Sequence, residues 1–369
     1  MTDQPLEAPP VWRRSLATLL GTRRAALGAA ALVVFFWGFP LLLGVLYLTL
    51  SMLPLGACLY AYVYFARLAR RQPLGGKTVL ITGGGSGLGR RLARVLAEKH
   101  RCRIVLCDIN EPALASVRGE LETEFDVEVH TYRCNVGSLA DTKALAERVH
   151  ADVGDVDVLV NNAGIVSGKH VLELTEEHVR RTVDVNTLAH IWAAQAFLPR
   201  MMARGASGDG TIVNIVSAAG IQATSGLVDY CASKFGAFGA NEALRLDVRA
   251  KGKRVHVLGV CPYYIGTGMF EGVKSPFPLL PILDELHVAE SIVDAIECRD
   301  HILVMPWFVN VSFIIRLLPV RFSDFLNDRL GVGRSMSTFK GRGWQATSAT
   351  PASAAAAAGG DNKSDKKDD

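Results

Sequence analysis

The stretch Thr82-Gly83-Gly84-Gly85-Ser86-Gly87-Leu88-Gly89 decides how this chain is read. It follows without a break on the apolar run 77–82 and leads straight into an amphipathic stretch, 87–99. Glycines at such a junction let the backbone turn tightly and approach a bound group closely. The start of a helix adds unpaired N–H groups and the positive end of a dipole, so the two together cradle a phosphate or pyrophosphate. A glycine-rich loop alone is also an ordinary flexible turn. Its position between a strand and a helix, with TGxxxGxG spacing, gives this one its weight.

Working outward, short apolar runs at 77–82, 103–107, 127–132, 156–160, 211–216, 254–260 and 301–305 alternate with helical patterns near 87–99, 111–124, 138–152, 175–204, 227–251 and 286–298. That alternation predicts an α/β domain over 75–305. Its fold is a Rossmann-type, doubly wound, seven-stranded parallel sheet covered on both faces. The second run ends in Cys107-Asp108, 19 residues past Gly89. A carboxylate there accepts hydrogen bonds from ribose hydroxyls and repels a 2′-phosphate, which favours NAD over NADP; Arg90 and Arg91 weigh the other way.

Further along, Ser217 closes the fifth run, and Tyr230-Cys231-Ala232-Ser233-Lys234 follows 13 residues later. Tyr and Lys four apart on a helix share a face. A phenol near pKa 10 is a poor base at neutral pH, and a neighbouring ammonium is expected to stabilise its phenolate and lower that value. Tyr230 then takes a proton from an alcohol, or gives one to a carbonyl.

These motifs, with Asn161-Asn162-Ala163-Gly164 after the fourth run, Asn186 in Asp184-Val185-Asn186, and Pro262-Tyr263-Tyr264-Ile265-Gly266-Thr267 after the sixth, resemble the short-chain dehydrogenase/reductase family from Lys77 to about Met305. Two departures stand out. Tyr263 replaces the glycine of the family's PGxxxT, and Cys134-Asn135-Val136 stands where an Asp commonly precedes Val. Asn135 retains a carbonyl acceptor for the adenine amine. The resemblance implies a catalytic set of Asn186, Ser217, Tyr230 and Lys234. Ser217 would steady the substrate oxygen, Lys234 would hold the nicotinamide ribose, and Asn186 would anchor a water in a proton relay. It implies a cofactor site of Thr82, Gly83, Ser86, Gly87, Leu88, Gly89, Asp108, Asn135, Val136, Asn162, Ala163, Gly164, Tyr230, Lys234, Pro262, Ile265 and Thr267, with no metal. Val166-Ser167-Gly168-Lys169-His170, the residues around Tyr230 and Thr267-Gly268-Met269-Phe270 are similar to the branch of membrane-attached retinol dehydrogenases, type 10 above all, and their 17-beta-hydroxysteroid dehydrogenase relatives. That branch implies a lipophilic alcohol as substrate, attachment to the endoplasmic reticulum or lipid droplets with the catalytic domain facing the cytosol, and a homodimer paired through the helices at 175–204 and 227–251.

The rest of the chain bears on that attachment. It is 369 residues long, 49% hydrophobic and 21% charged, with a formal charge of +4 and a mean hydropathy of +0.22. Residues 25–66, 42 in a row, hold no Asp, Glu, Lys, Arg or His. About 20 apolar residues cross a bilayer, so this run suffices for a transmembrane or re-entrant hairpin. Breaks are expected at Gly38-Phe39-Pro40 and between Ser51 and Gly56. Residues 1–71 carry seven Arg against Asp3 and Glu7, while the remainder holds 33 basic and 34 acidic residues. The basic balance is therefore a membrane flank, with both ends cytosolic by the positive-inside rule, and no sign of nucleic-acid binding. Seven Cys without a CxxC pair point to reduced, buried thiols.

Apolar residues after Pro262 (Tyr263, Tyr264, Met269, Phe270, Phe277, Leu279, Leu280) fall where this fold carries a substrate lid. Residues 307–315, in an extension over 306–343, are expected either to pack on the domain or on a second copy, or to rest on the membrane. Residues 1–24 form a basic leader, and 344–369 a disordered tail ending in Lys366-Lys367-Asp368-Asp369, similar to a dilysine retrieval signal. Asn310 and Asn362 match the glycosylation pattern and are expected to stay unmodified on the cytosolic side. The competing readings are an NADPH-dependent lipid carbonyl reductase, opposed by Asp108, and a membrane or lipid-droplet scaffold without turnover, opposed by the complete catalytic set.

Overall fold

A computed structural model describes residues 39–331 except 205–209, 253 and 276, together with Leu27, Phe35, Ser335, Met336 and 338–340. The basic leader 1–24, most of the run 25–38, Asn362 and the dilysine tail lie outside these residues. The chain divides into two compact units, Met1–Ala69 and Arg70–Asp369.

The described part of the first unit is one helix, α1, Phe39–Leu68. It passes through Pro54 without a break, so no turn of a hairpin falls between Ser51 and Gly56. A proline removes one intrahelical donor, and in a long apolar helix the remaining ladder holds. The hydroxyls of Thr49 and Ser51 donate to the Leu46 and Leu48 carbonyls, 2.8 and 2.9 Å, which hides two polar groups. Leu43–Leu68, 26 residues, is long and apolar enough to cross a membrane. At 1.5 Å per residue it spans about 39 Å, against a hydrocarbon core of about 30 Å.

The second unit carries seven parallel strands in the order β3-β2-β1-β4-β5-β6-β7. They are β1 Thr78–Thr82, β2 Arg103–Asp108, β3 Val129–Arg133, β4 Val158–Asn161, β5 Thr211–Ile215, β6 His256–Pro262 and β7 Ile302–Met305. Side chains alternate between two cores, as a period of two requires. Val79, Ile81, Ile104 and Leu106 face one cluster, closed by Leu92 and Leu96 of α2 (Gly87–His100). Leu80, Val105 and Cys107 face the other. Burial on both faces explains why the strands read as near-continuous apolar runs.

The remaining crossover helices are α3 Glu111–Phe125, α4 Leu139–Asp152, α5 Glu176–Val183, α6 Ala189–Ala203, α7 Val228–Ala250 and α8 Glu285–Glu297. The single helix expected over 175–204 is two helices joined by a π turn, Asp184–Leu188. Beyond β7, a 3-10 turn at Trp307–Asn310 and the helices α9 (Val311–Ile315) and α10 (Val320–Leu330) form the extension. Of the placements expected for it, packing on the domain is what Val309 and Ile315 show by their burial; Trp307, Ile314 and Leu317 are exposed. All seven cysteines are unpaired thiols, six of them buried.

Candidate active site

The strand order reverses between β1 and β4, so the crevice outside their C-terminal ends is where an open sheet of this kind receives a ligand. A cavity of about 1130 Å³ lies there. The glycine-rich loop forms its floor. Gly83 has φ +66°, and a Cβ on it would stand 2.9 Å from the Ala163 Cα; one on Gly89 would stand 2.2 Å from the Gly83 carbonyl oxygen. Only glycine permits that approach. Behind the loop the Thr82 hydroxyl oxygen accepts from the Asn162 and Ala163 amides at 2.9 and 3.0 Å. The Asn162 carboxamide donates back to the Thr82 and Gly83 carbonyls. Asn162 thus shapes the loop.

At the end expected to take the adenosine, the Asp108 carboxylate accepts from the Gly85 N–H at 3.1 Å and the Asn110 N–H at 3.0 Å. Asn135 keeps its carboxamide oxygen in a turn, accepting from Gly137 at 3.1 Å. The same cavity wall holds Ser86, Gly87, Leu88, Val136, Gly164, Pro262, Ile265 and Thr267. Thr82, Gly89 and Asn186 stand behind it and support residues that line it. A backbone cradle that any Cβ would fill, a helix start and an acidic group at the second strand fit a dinucleotide.

At the other end the structure gathers three of the four residues expected to be catalytic. Ser217 lies just past β5, and Tyr230 and Lys234 lie on the first turns of α7. The Lys234 ammonium donates to the Ile215 carbonyl at 2.9 Å and sits 5.8 Å from the centre of the Tyr230 ring. Burial pushes the Tyr230 phenol up to about 12, against a lowering by its hydrogen bond with Ser217. Burial pushes Lys234 down to about 8. The expectation of a lowered phenol is therefore corrected: Lys234 spends its nearest hydrogen bond on backbone, and desolvation wins. Asn186 is fully buried in the π turn, where its carboxamide exchanges hydrogen bonds with the Ile165 backbone and donates to the Ser233 hydroxyl at 3.0 Å. π turns are frequent at functional sites, because they re-aim one side chain without ending the helix.

Around Tyr230 the wall is apolar. Leu227, Ala219 and Cys231 cluster with it, and Phe270 meets its ring edge-on at 5.7 Å. Phe308, Val309 and Ile315 of the extension line the cavity too. Several contributors escaped the sequence reading. Ser335 is buried and hydrogen-bonds the Tyr264 hydroxyl at 3.0 Å, and Phe339 packs near Phe270 and over Gly168. Gln222 lines the cavity; five residues past Ser217, it carried no pattern of its own. His170 is exposed and outside the cavity wall.

This fold and cavity define a nicotinamide-dinucleotide oxidoreductase acting on a small molecule. The chain belongs to the short-chain dehydrogenase/reductase family, whose short chain dehydrogenase domain it matches over residues 77–276. Within it, the chain falls in a retinol dehydrogenase-like branch. It is 39% identical over 279 residues to epidermal retinol dehydrogenase 2 of Homo sapiens, covering 74% of this chain and 89% of that one. It is 36% identical over 312 residues to human retinol dehydrogenase 10, covering 77% and 90%. Among solved structures, a short chain dehydrogenase/reductase from Burkholderia phymatum in complex with NAD superposes with a TM-score of 0.61 at 26% identity, over 68% of this chain and 96% of the other. A short-chain dehydrogenase from Sphingobium yanoikuyae in complex with NADPH gives 0.57 at 26% identity, over 69% and 94%.

Proposed function

We propose that this protein is a membrane-anchored dehydrogenase that moves hydride between NAD and a lipophilic alcohol or its carbonyl, of retinol-like, steroid-like or long-chain type. The observation that carries this reading is the cavity itself, where Ser217, Tyr230 and Lys234 share one wall with the glycine loop and Asp108, and Tyr230 is buried among Phe270 and Leu227. When bound, the nicotinamide supplies the hydride acceptor or donor. The chain's own residues do the rest. Tyr230 transfers the hydroxyl proton, and the Ser217 hydroxyl donates to the substrate oxygen and stabilises charge developing on it. Lys234 supplies a fixed positive charge beneath them, and Asn186 holds Ile165 and Ser233 in place. Apolar walls exclude water and favour a substrate with a long hydrocarbon body.

Asp108 supports NAD as the partner. One observation favours NADP as a second reading: Arg133, level with Asp108 in the sheet register, lies on the same cavity wall. In this proposal α1 anchors the chain in the endoplasmic reticulum or lipid-droplet surface with the second unit in the cytosol, and two copies pair through α6 and α7. The relation to retinol dehydrogenases supports the substrate class. The test is turnover by membranes carrying the full chain, on retinoid, steroid and long-chain alcohols with each cofactor. Activity confined to short polar alcohols would refute it.

A further inference from the structure

Beyond α10 the chain returns to the pocket. Residues 335, 336 and 338–340 cross the segment 264–274, which follows β6, and run antiparallel to its second half. The Lys274 amide donates to the Ser335 carbonyl at 3.3 Å, and the Lys340 amide to the Glu271 carbonyl at 2.8 Å. Between them the Thr338 hydroxyl donates to the Gly272 carbonyl at 2.6 Å. Ser335 is 1% exposed, and its hydroxyl pairs with that of Tyr264 at 3.0 Å. Such a buried pair holds two segments in one register, because parting them leaves polar groups without partners. The approach is also close. A Cβ on Gly272 (φ +85°) would stand 2.3 Å from the Thr338 carbonyl oxygen, and one on Gly168 (φ +64°) 1.9 Å from the Phe339 ring. Two separate loops thus carry no side chain where this segment meets them.

The apolar side chains of this segment reach the site through Phe270 and its neighbours. The Phe270 ring lies 5.7 Å from that of Tyr230, 5.0 Å from Tyr264 and 6.3 Å from Phe339. Met336 packs against the cluster of Ala219, Leu227, Tyr230 and Cys231. Phe270 and Leu227 line the cavity, whereas Met336 and Phe339 stand outside its wall. Interiors are close-packed, so a change in the volume of one side chain is felt by those it touches. The bulk of Met336 and Phe339 therefore limits how far Phe270 can withdraw from Tyr230. The segment lies outside residues 77–276, the part of the chain that matches the family domain.

We propose that residues 335, 336 and 338–340 form a strap that sets the width of the substrate pocket at Tyr230, with Met336 and Phe339 as specificity-determining residues that act through Phe270. The proposal rests on the reading of Tyr230 and of a lipophilic alcohol above, and adds selection by bulk close to the reacting carbon. Shortening either side chain lets Phe270 retreat. Room then opens for a branched or fused-ring alcohol that the strap otherwise crowds out.

The test uses the full chain in detergent or nanodiscs, as wild type, Met336→Ala, Phe339→Ala and the bulk-retaining Met336→Leu and Phe339→Leu. Two substrates are compared with NAD: a straight-chain primary alcohol and a fused-ring steroid alcohol. Each Ala variant should shift the ratio of their kcat/KM values by about tenfold toward the steroid, the scale on which a pocket tells apart substrates that differ by a methylene. The shift should appear in KM more than in kcat. The Leu variants should keep most of the wild-type ratio, as volume-conserving exchanges do. Amide hydrogen exchange reads the same contact without a substrate: in the Ala variants it should quicken in 264–274 and stay unchanged in β1 and β5. Two positions guard against misfolding at either, with the melting temperature as a check. Folded Ala variants that leave the ratio within about twofold of wild type, or that leave exchange in 264–274 unchanged, would overturn the proposal. A wild type that turns over neither alcohol would sink the substrate reading instead, and the exchange comparison would still decide whether the strap holds this segment.

Discussion

The proposed preference for NAD rests on one carboxylate, and Asp108→Ser tests it. The side chain is pinned by two backbone donors, Gly85 at 3.1 Å and Asn110 at 3.0 Å, so its position does not depend on what binds. The site fits an adenosine ribose at this point, and replacement with Ser has two effects. It removes charged acceptance from a ribose hydroxyl, about 1.5–3 kcal/mol. It also removes repulsion of a 2′-phosphate, about 3 kcal/mol for two unit charges about 5 Å apart at an effective dielectric of about 20. The sum, about 5 kcal/mol, is an upper bound because the site opens to solvent. A reduction of the NAD-to-NADP preference by about 10³ is the working expectation, at 1.4 kcal/mol per tenfold. Arg133 on the same wall should amplify the gain with NADP. The assay is kcat/KM for both cofactors at one alcohol concentration, for wild type, Asp108→Ser and Asp108→Asn. The Asn variant keeps an acceptor and loses the charge, so it should show most of the NADP gain and less of the NAD loss. A ratio that moves less than tenfold in the Ser variant, or a wild type that already prefers NADP, would refute the reasoning.

Tyr230→Phe removes the proton carrier and keeps the ring in its apolar cluster, so turnover should fall by about 10²–10⁴ with little change in melting temperature. Gly89→Ala places a Cβ 2.2 Å from the Gly83 carbonyl oxygen; overpacking of this kind costs about 1–3 kcal/mol, and NADH binding should weaken together with thermal stability. Acid should destabilise the fold: burial holds His190 down to about 3 and His256 down to about 4, below the usual 6.5. The unfolded chain therefore binds protons first as pH falls, and stability that is complete above about 6.5 is lost between there and about 4 for His256 and about 3 for His190. With each histidine contributing on the order of 3 kcal/mol at full extent, thermal melts at pH 7.5 and 5 should separate clearly, and equal melts would contradict the burial. The full chain should remain with the membrane pellet after alkaline carbonate extraction, since α1 exposes apolar side chains along its length.

How far the sequence could be read depended on the kind of contact. The strands β1, β2, β5 and β6 were legible because residues buried on both faces, such as Val79 to Ile81, leave an apolar run that no surface pattern interrupts. The glycine loop and the Tyr230–Lys234 spacing were legible because backbone approach and a shared helix face each demand particular residues at fixed intervals. The π turn at Asp184–Leu188 was not, since one extra residue per turn leaves no mark on composition. Nor was the path of α1 through Pro54: proline lowers the odds of a helix locally, and the apolar residues on either side restore it. Ser335, 71 residues from its partner Tyr264, shows the general difficulty. A hydrogen bond between distant segments exists only after the sheet has brought their ends together.

The site joins two demands that pull against each other. A pocket for the lipid-like alcohol proposed above must be apolar, and Phe270, Leu227 and Met336 pack around Tyr230. Proton transfer at neutral pH asks for a phenol that ionises readily, yet the same apolar wall pushes Tyr230 up to about 12 and Lys234 down to about 8. Removing the wall would ease the chemistry and lose the substrate. The arrangement instead places the correction underneath, where Ser217 lowers the phenol through a hydrogen bond and Lys234 is held by backbone. A group added on that side acts on the proton without touching the hydrocarbon. The polar residues Asn186, Ser233, His190 and Lys234 are all buried, while Phe270 meets the Tyr230 ring edge-on. Substitutions among the apolar residues around Tyr230 should therefore move KM, and those of Ser217 and Lys234 kcat.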